Sequence, residues 1–284
     1  MNFGLFSKLL PEKDPRANFS HILETGYSCT QFNFSTMGLP TVPEAEVDIL
    51  LCRSVRNAQA ETGISIPVIS GTCNLIAPDT TERKKAVEGV IYLIAACERM
   101  GIPRVSLCTG SRDTADMWKF HPDNASPEAW SDLEESLSVI LDRTAGSGVS
   151  ICIEPEKANV VSDPRKALEL LKEMGSKRIE LIFDAANILS GTEESVRDDV
   201  LKNAFGMLRE YVSLFHMKEI YSPTGIQGGP TGSGLLNIPL YISLIRTYCP
   251  DAPVIVHGLN PSVSRCMEQS IMYLKQAEGG SAYV

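Results

Sequence analysis

The sequence predicts one closed (β/α)8 barrel occupying residues 1–284 as a single domain. Three observations lead there. Short β-branched or aromatic runs alternate with longer stretches of helical spacing, the texture of a parallel sheet with right-handed crossovers. The alternation repeats eight times within 284 residues, which suits one closed barrel. No G-x-G-x-x-G follows the first strand-like run, which argues against the competing open, doubly wound sheet.

Taken in order, the strand-like runs are Asn2–Ser7, Ser28–Phe34, Ile66–Ser70, Arg104–Cys108, Ser150–Glu154, Ile179–Asp184, Val212–Met217 and Pro253–His257. Helical spacing falls near 16–25, 43–62, 81–100, 127–146, 164–174, 194–209, 238–248 and 262–276. Ser126-Pro127-Glu128 and Asp163-Pro164 read as N-caps followed by proline at the first helical position. Gly101 and Gly175 stand where C-terminal caps belong. Within 164–174, Ala167, Leu168, Leu171 and Met174 form an apolar face able to cover one side of a sheet. The most irregular stretch is the Gly-rich 221–236, predicted as a long loop after the seventh strand. Its GGPTGSG lacks the Gly-Lys-Ser/Thr ending of a nucleotide-binding P-loop; a lid, a phosphate cradle and plain looseness all fit it.

Composition narrows the partners. The net charge is −9, and the densest basic run is Arg83-Lys84-Lys85, so nucleic acid is not an expected partner. The eight cysteines are scattered without a C-x-x-C pair, which reads as reduced thiols of a cytoplasmic protein. No apolar run approaches the roughly 18 residues that would cross a membrane, and the N-terminus lacks a signal-peptide pattern.

In a barrel, chemistry gathers at the C-terminal ends of the strands. The fifth run ends at Glu154, the sixth at Asp184, the seventh reaches His216 and the eighth ends at His257. Each run is mostly apolar until that residue. The spacings of 30, 32 and 41 residues are about one βα unit each. Two carboxylates and two imidazoles suit a divalent metal, with Mn or Zn preferred over Mg. Each residue also has a plainer reading: a carboxylate after a strand often caps a helix, and a lone histidine is often a hydrogen-bonded core residue. Four consecutive strand ends together favour the metal site.

Several segments then become familiar. ISGTCNLIAPD (69–79), SLCTGSRD (106–113), MWKFHPDNASPEAW (117–130), CIEPEKANVV (152–161), FDAANIL (183–189), FHMKE (215–219) and VIVHGL (254–259) occur in this order. Together they resemble the bacterial sugar phosphate isomerase/epimerase family, of the xylose isomerase-like TIM-barrel superfamily. The resemblance covers about residues 26–276. It implies that Glu154, Asp184 and His216 bind metal, that Asn187 lies near the site, and that Lys218 contacts substrate. It also implies that Arg112 and Asp113 form a pair at the rim. One position departs: characterised epimerases of the superfamily end strand eight in a Glu that binds metal and moves a proton, whereas His257 stands here. Glu156 could supply the second carboxylate, since residues 154 and 156 share a face if the strand continues past Pro155.

The expected function is a metal-dependent isomerase or epimerase of a small sugar, ketose or sugar phosphate. Glu154, Glu156 and His257 would move protons. Arg112 and Lys218, with Asn187 and His121, would contact substrate. Trp118 and Trp130 flank His121 and read either as an apolar wall for a sugar or as staples for the loop. A dehydratase or lyase acting on an inosose or keto acid could use the same metal. A sugar-binding barrel without catalysis is a third reading. An abasic-site endonuclease is disfavoured, because its zinc cluster needs more than the four histidines present. Both a homodimer and a homotetramer remain open.

Overall fold

In the computed structural model, which describes residues 1–221, 229–260 and 265–279, eight short strands lie side by side in chain order. They are β1 (Phe3–Phe6), β2 (Cys29–Phe32), β3 (Ser65–Ser70), β4 (Arg104–Leu107), β5 (Ser150–Ile153), β6 (Ile179–Asp184), β7 (Val212–Met217) and β8 (Val254–Val256). All neighbours are parallel, and β1 pairs with β8, with Leu5 opposite Val256. The ring is therefore closed, which excludes the open sheet.

Helices follow the strands: α1 (Pro15–Thr25), α2 (Ile49–Thr62), α3 (Thr80–Met100), α4 (Pro127–Arg143), α5 (Pro164–Met174), α6 (Ala185–Leu189), α7 (Arg197–Leu208), α8 (Ile238–Tyr248) and α9 (Cys266–Glu278). The expected caps are in place. Ser126 Oγ accepts from Ala129 N, and Asp163 Oδ1 accepts from Arg165 N and Lys166 N. Gly101 and Gly175 end their helices at φ 74° and 57°, where glycine carries no Cβ penalty. Three expectations need correction. Helix α2 starts at Ile49 rather than 43, because Asp48 caps it. Leu170 joins Ala167 and Leu171 on the buried face of α5, while Leu168 and Met174 are only partly buried. The short α6 was not expected; it exists because Asp184 caps it. Residues 222–228 of the Gly-rich loop, including part of GGPTGSG, and residues 262–264 of the expected last helix lie outside the described residues.

Side chains alternate across each strand, so the barrel separates two apolar layers. Outward residues pack under the helices. Inward, Phe6, Cys29, Val68, Cys152, Ile182, Leu214 and Ile255 form a compact plug. Two residues further along, the same inward face carries Gln31, Ser70, Glu154, Asp184, His216 and His257. The apolar plug is thus the floor of a polar cavity at the C-terminal end. Behind that end, the buried Tyr241 of α8 donates to Phe183 O at 2.8 Å and His216 O at 3.3 Å, tying down the tips of β6 and β7. Among the described residues no helix is long and apolar enough to cross a membrane.

Candidate metal centre

Backbone register brings the first two members together: Asp184 and His216 are direct partners across β6 and β7. Glu154 and His257 lie one residue beyond the ends of β5 and β8. One ligand atom from each of Glu154, Asp184, His216 and His257 lies within 4.8 Å of all the others. Glu154 Oε1 is 3.0 Å from His216 Nδ1, and Asp184 Oδ2 is 3.1 Å from His257 Nε2 and 3.8 Å from His216 Nδ1. Two ligands bound to one ion at about 2.1 Å stand about 3.0–3.4 Å apart in octahedral or tetrahedral geometry, so the two shorter edges are of that size and the 3.8 Å edge is longer.

The imidazole of His216 supplies a stricter test of fit. Gln31 on β2 directs its amide nitrogen to Ser70 Oγ at 3.0 Å and Ser106 Oγ at 3.2 Å. Its carbonyl oxygen is left to accept from His216 Nε2 at 2.7 Å. With the proton on Nε2, the Nδ1 lone pair faces two carboxylate oxygens. In this arrangement Nδ1 is available as a ligand beside the two carboxylates, its aim set by the partner on Nε2. The donor set fits a divalent ion.

Asp184 divides its oxygens. Oδ1 accepts from Ala186 N at 2.9 Å and Asn187 N at 3.1 Å, capping α6, while Oδ2 faces the cluster. The capping and ligand readings of this residue therefore coexist. Lys218 Nζ lies 3.0 Å from the same Oδ2, buried with it. Asn187 Nδ2 donates to Glu154 Oε1 at 3.0 Å.

The charges settle one another. Burial opposes ionisation of Glu154, but the His216 imidazole and the Lys218 ammonium outweigh it and hold the carboxyl below the usual range. Burial likewise opposes ionisation of Asp184, yet Lys218 and then His257 hold it far lower still. Lys218 loses hydration by burial, but Asp184, Glu154 and Glu156 keep it charged and raise it above an ordinary lysine. Glu156 is pushed up to about 8 by burial and by the negative Glu154 beside it. His257 falls to about 4 because burial, His216 and Lys218 all disfavour its charge.

A cavity of about 350 Å³ opens above the cluster, lined by Glu154, Glu156, His216 and His257 and by residues of β1 to β4. Glu156 does reach it, although β5 ends at Ile153: a carboxylate oxygen of Glu156 lies within 4.8 Å of ligand atoms of Glu154 and Cys108.

Other expected contacts are not brought there. Arg112 pairs with Asp132 at 2.7 Å and donates to Ile76 O at 2.9 Å, bracing the outer rim rather than lining the cavity. Asp113 pairs with Lys119 at 3.0 Å instead of with Arg112. His121 caps a short 3-10 turn, its Nδ1 accepting from Asp123 N at 3.2 Å, and does not line the cavity. The two tryptophans part company: Trp118 lines the cavity, whereas Trp130 donates to Glu173 and packs under Lys166. Sequence reasoning passed over Gln31, Ser70, Ser106 and Lys8. The available signal was period 2: Gln31 stands two residues after the inward Cys29, as Glu154 stands two after Cys152.

The fold has many relatives among solved structures. A 3-keto-D-glucoside 4-epimerase from E. coli superposes with a TM-score of 0.76 at 17% identity, over 97% of this chain and 99% of that one. An L-ribulose 3-epimerase gives 0.73 at 13%, over 98% and 94%. A probable 3-DHS dehydratase from Bacillus anthracis gives 0.72 at 16%, over 97% and 99%. At such identities the likeness speaks for the fold alone. No curated protein matches the chain in sequence. The family model of the xylose isomerase-like TIM barrel matches residues 19–268. The closed barrel agrees with that match, and this chain belongs to the xylose isomerase-like TIM barrel family.

Proposed function

We propose that this barrel is a divalent-metal-dependent isomerase or epimerase of a small sugar, ketose or sugar phosphate, acting in the cytoplasm. One observation carries the reading: ligand atoms of Glu154, Asp184, His216 and His257 converge within 4.8 Å of one another at the C-terminal end of the barrel, with His216 Nδ1 turned to the two carboxylates and its Nε2 beside Gln31. Glu154, Asp184, His216 and His257 would hold the ion, with Mn or Zn suiting their mixed donors better than Mg. When bound, the ion polarises a carbonyl or hydroxyl of the substrate and makes the neighbouring C–H bond more acidic.

The chain's own groups do the rest. Glu154, ionised and oriented by Asn187, takes the proton from carbon. Glu156, from the same wall, returns it when the transfer stays on one face of the substrate. His257, one residue past the end of β8 and lining the same cavity, would assist the return of a proton to the other face. It would thereby take the place of the carboxylate that epimerases of the superfamily carry. Lys218 balances the charge of Asp184.

A second reading, dehydration, is favoured by the neutral Glu156 carboxyl, an acid able to protonate a leaving hydroxyl. Proton NMR in deuterated water separates the two. Isomerisation leaves the formula unchanged and brings deuterium onto carbon, while dehydration releases water. Glu154→Gln should lower turnover by roughly 10²–10⁴-fold with an unchanged circular dichroism spectrum. A fully active variant would sink the mechanism.

A further inference from the structure

The cations expected to greet an anionic substrate are already engaged. Arg112 is bound to Asp132 and to Ile76 O, and Lys218 is bound to Asp184. Lys8 differs. It lies two residues past the end of β1, at the same C-terminal rim as the cluster, and lines the cavity. Among the described residues it makes no ion pair; its ammonium sits 4.5 Å from the centroid of the Phe6 ring. Phe6 in turn meets His257 edge-on at 6.2 Å between centroids. Lys8, Phe6 and His257 thus form one continuous wall, with a positive charge at one end and the candidate metal centre at the other.

We propose that Lys8 is the residue that reads charge on the substrate, receiving an oxyanion carried by the sugar away from the carbon whose proton moves. The inference rests on the site reading above and names its substrate class: a sugar bearing a phosphate ester or a carboxylate. Charge balance favours it. Lys8 and Lys218 offset Asp184 and Glu154, so a divalent ion leaves the cavity positive, and it stays positive even with Glu156 counted as ionised. An oxyanion offsets that positive charge where a neutral ketose does not. The geometry favours it too. The aromatic ring holds the ammonium stem on the wall, yet Lys8 keeps access to solvent and hence donors free for an incoming group. A cavity of about 350 Å³ has room for one small sugar of this kind.

The test is calorimetric titration of the full-length, manganese-loaded protein with D-fructose, D-fructose 6-phosphate and 2-keto-D-gluconate. At least one anionic sugar should bind about tenfold or more tightly than D-fructose, and which one it is separates phosphate from carboxylate. Lys8→Gln should erase that preference while leaving the affinity for D-fructose within about twofold, and Lys8→Arg should restore most of it. Equal affinities in the wild type, no measurable binding of either anion, or an undiminished preference in Lys8→Gln would each overturn the role of Lys8. Manganese content, measured separately by atomic absorption, tells the two readings apart. Protein that takes up manganese without a charge preference removes Lys8 from the site and leaves the metal reading standing. Protein that takes up none removes both.

Discussion

At the scale of single residues, Gln31 organises the cluster without being one of its four candidate ligands. Two serines occupy its amide nitrogen, so its oxygen holds the His216 ring by Nε2 and turns Nδ1 toward the carboxylates. Partners of this kind fix the tautomer and the aim of a ligand, and losing one typically costs 10–100-fold in metal affinity. Gln31→Leu should therefore weaken manganese binding by about 10–100-fold, read by competition with a fluorescent chelator, while the protein stays folded. Unchanged affinity would mean that the ring is held by its neighbours alone. Asp184 makes a related point about legibility. Its place at a strand end was readable, but the sequence left a cap and a ligand as rivals. Only the folded structure shows Oδ1 capping α6 while Oδ2 faces the cluster and Lys218.

Among the elements, the connection from β7 to α8 shows how a loop is tied to the rim. Glu219, buried just beyond β7, accepts from Gly232 N at 2.6 Å and Leu236 N at 3.4 Å. Gly234 passes so close that a Cβ there would meet Glu219 Oε2 at 2.4 Å. Burial raises the Glu219 pKa above the usual carboxylate value, although the backbone donors pull it back in part. The folded state therefore binds this proton more tightly than the unfolded chain does. Its contribution is full below the ordinary carboxylate pKa and is lost as pH rises through the folded one. Glu219→Ala should lower the melting temperature by about 4–8 °C, through loss of about 2 kcal/mol of buried hydrogen bonding. It should also flatten the decline of stability with rising pH. Melting curves across that range check both outcomes. The loop itself was legible from its glycines; the buried acid that ties it down was not, because Glu219 looks like any charged residue after a strand.

For the whole molecule, the decisive event is closure between β1 and β8, which sets His257 beside the other three candidate ligands. Gly4 makes the seam possible. A Cβ there would lie 2.5 Å from Ile255 Cδ1, 2.6 Å from Cys29 Sγ and 2.9 Å from the Cys29 carbonyl oxygen, and that backbone atom cannot step aside. Gly4→Val should cost about 1–3 kcal/mol in urea unfolding. Because β8 carries His257, the variant should also bind manganese more weakly than the wild type. Normal stability together with normal metal uptake would show that the seam has slack.

What the sequence by itself determined was the barrel, its caps and the line of four polar strand ends proposed as ligands. These follow from local rules: strand alternation, helix spacing, capping chemistry and the placing of polar residues where apolar runs end. All of them act over a few residues and can be read along the chain. What only the tertiary structure decided was which charges meet. Arg112 was expected to pair with Asp113 and meet substrate but pairs with Asp132; Lys218 looked like a substrate contact and found Asp184; Lys8, unremarked in the sequence, faces the cavity. The reason is physical. An ion pair depends on distances between segments far apart in the chain, and burial multiplies its strength. Neither quantity exists until the ring of strands has closed.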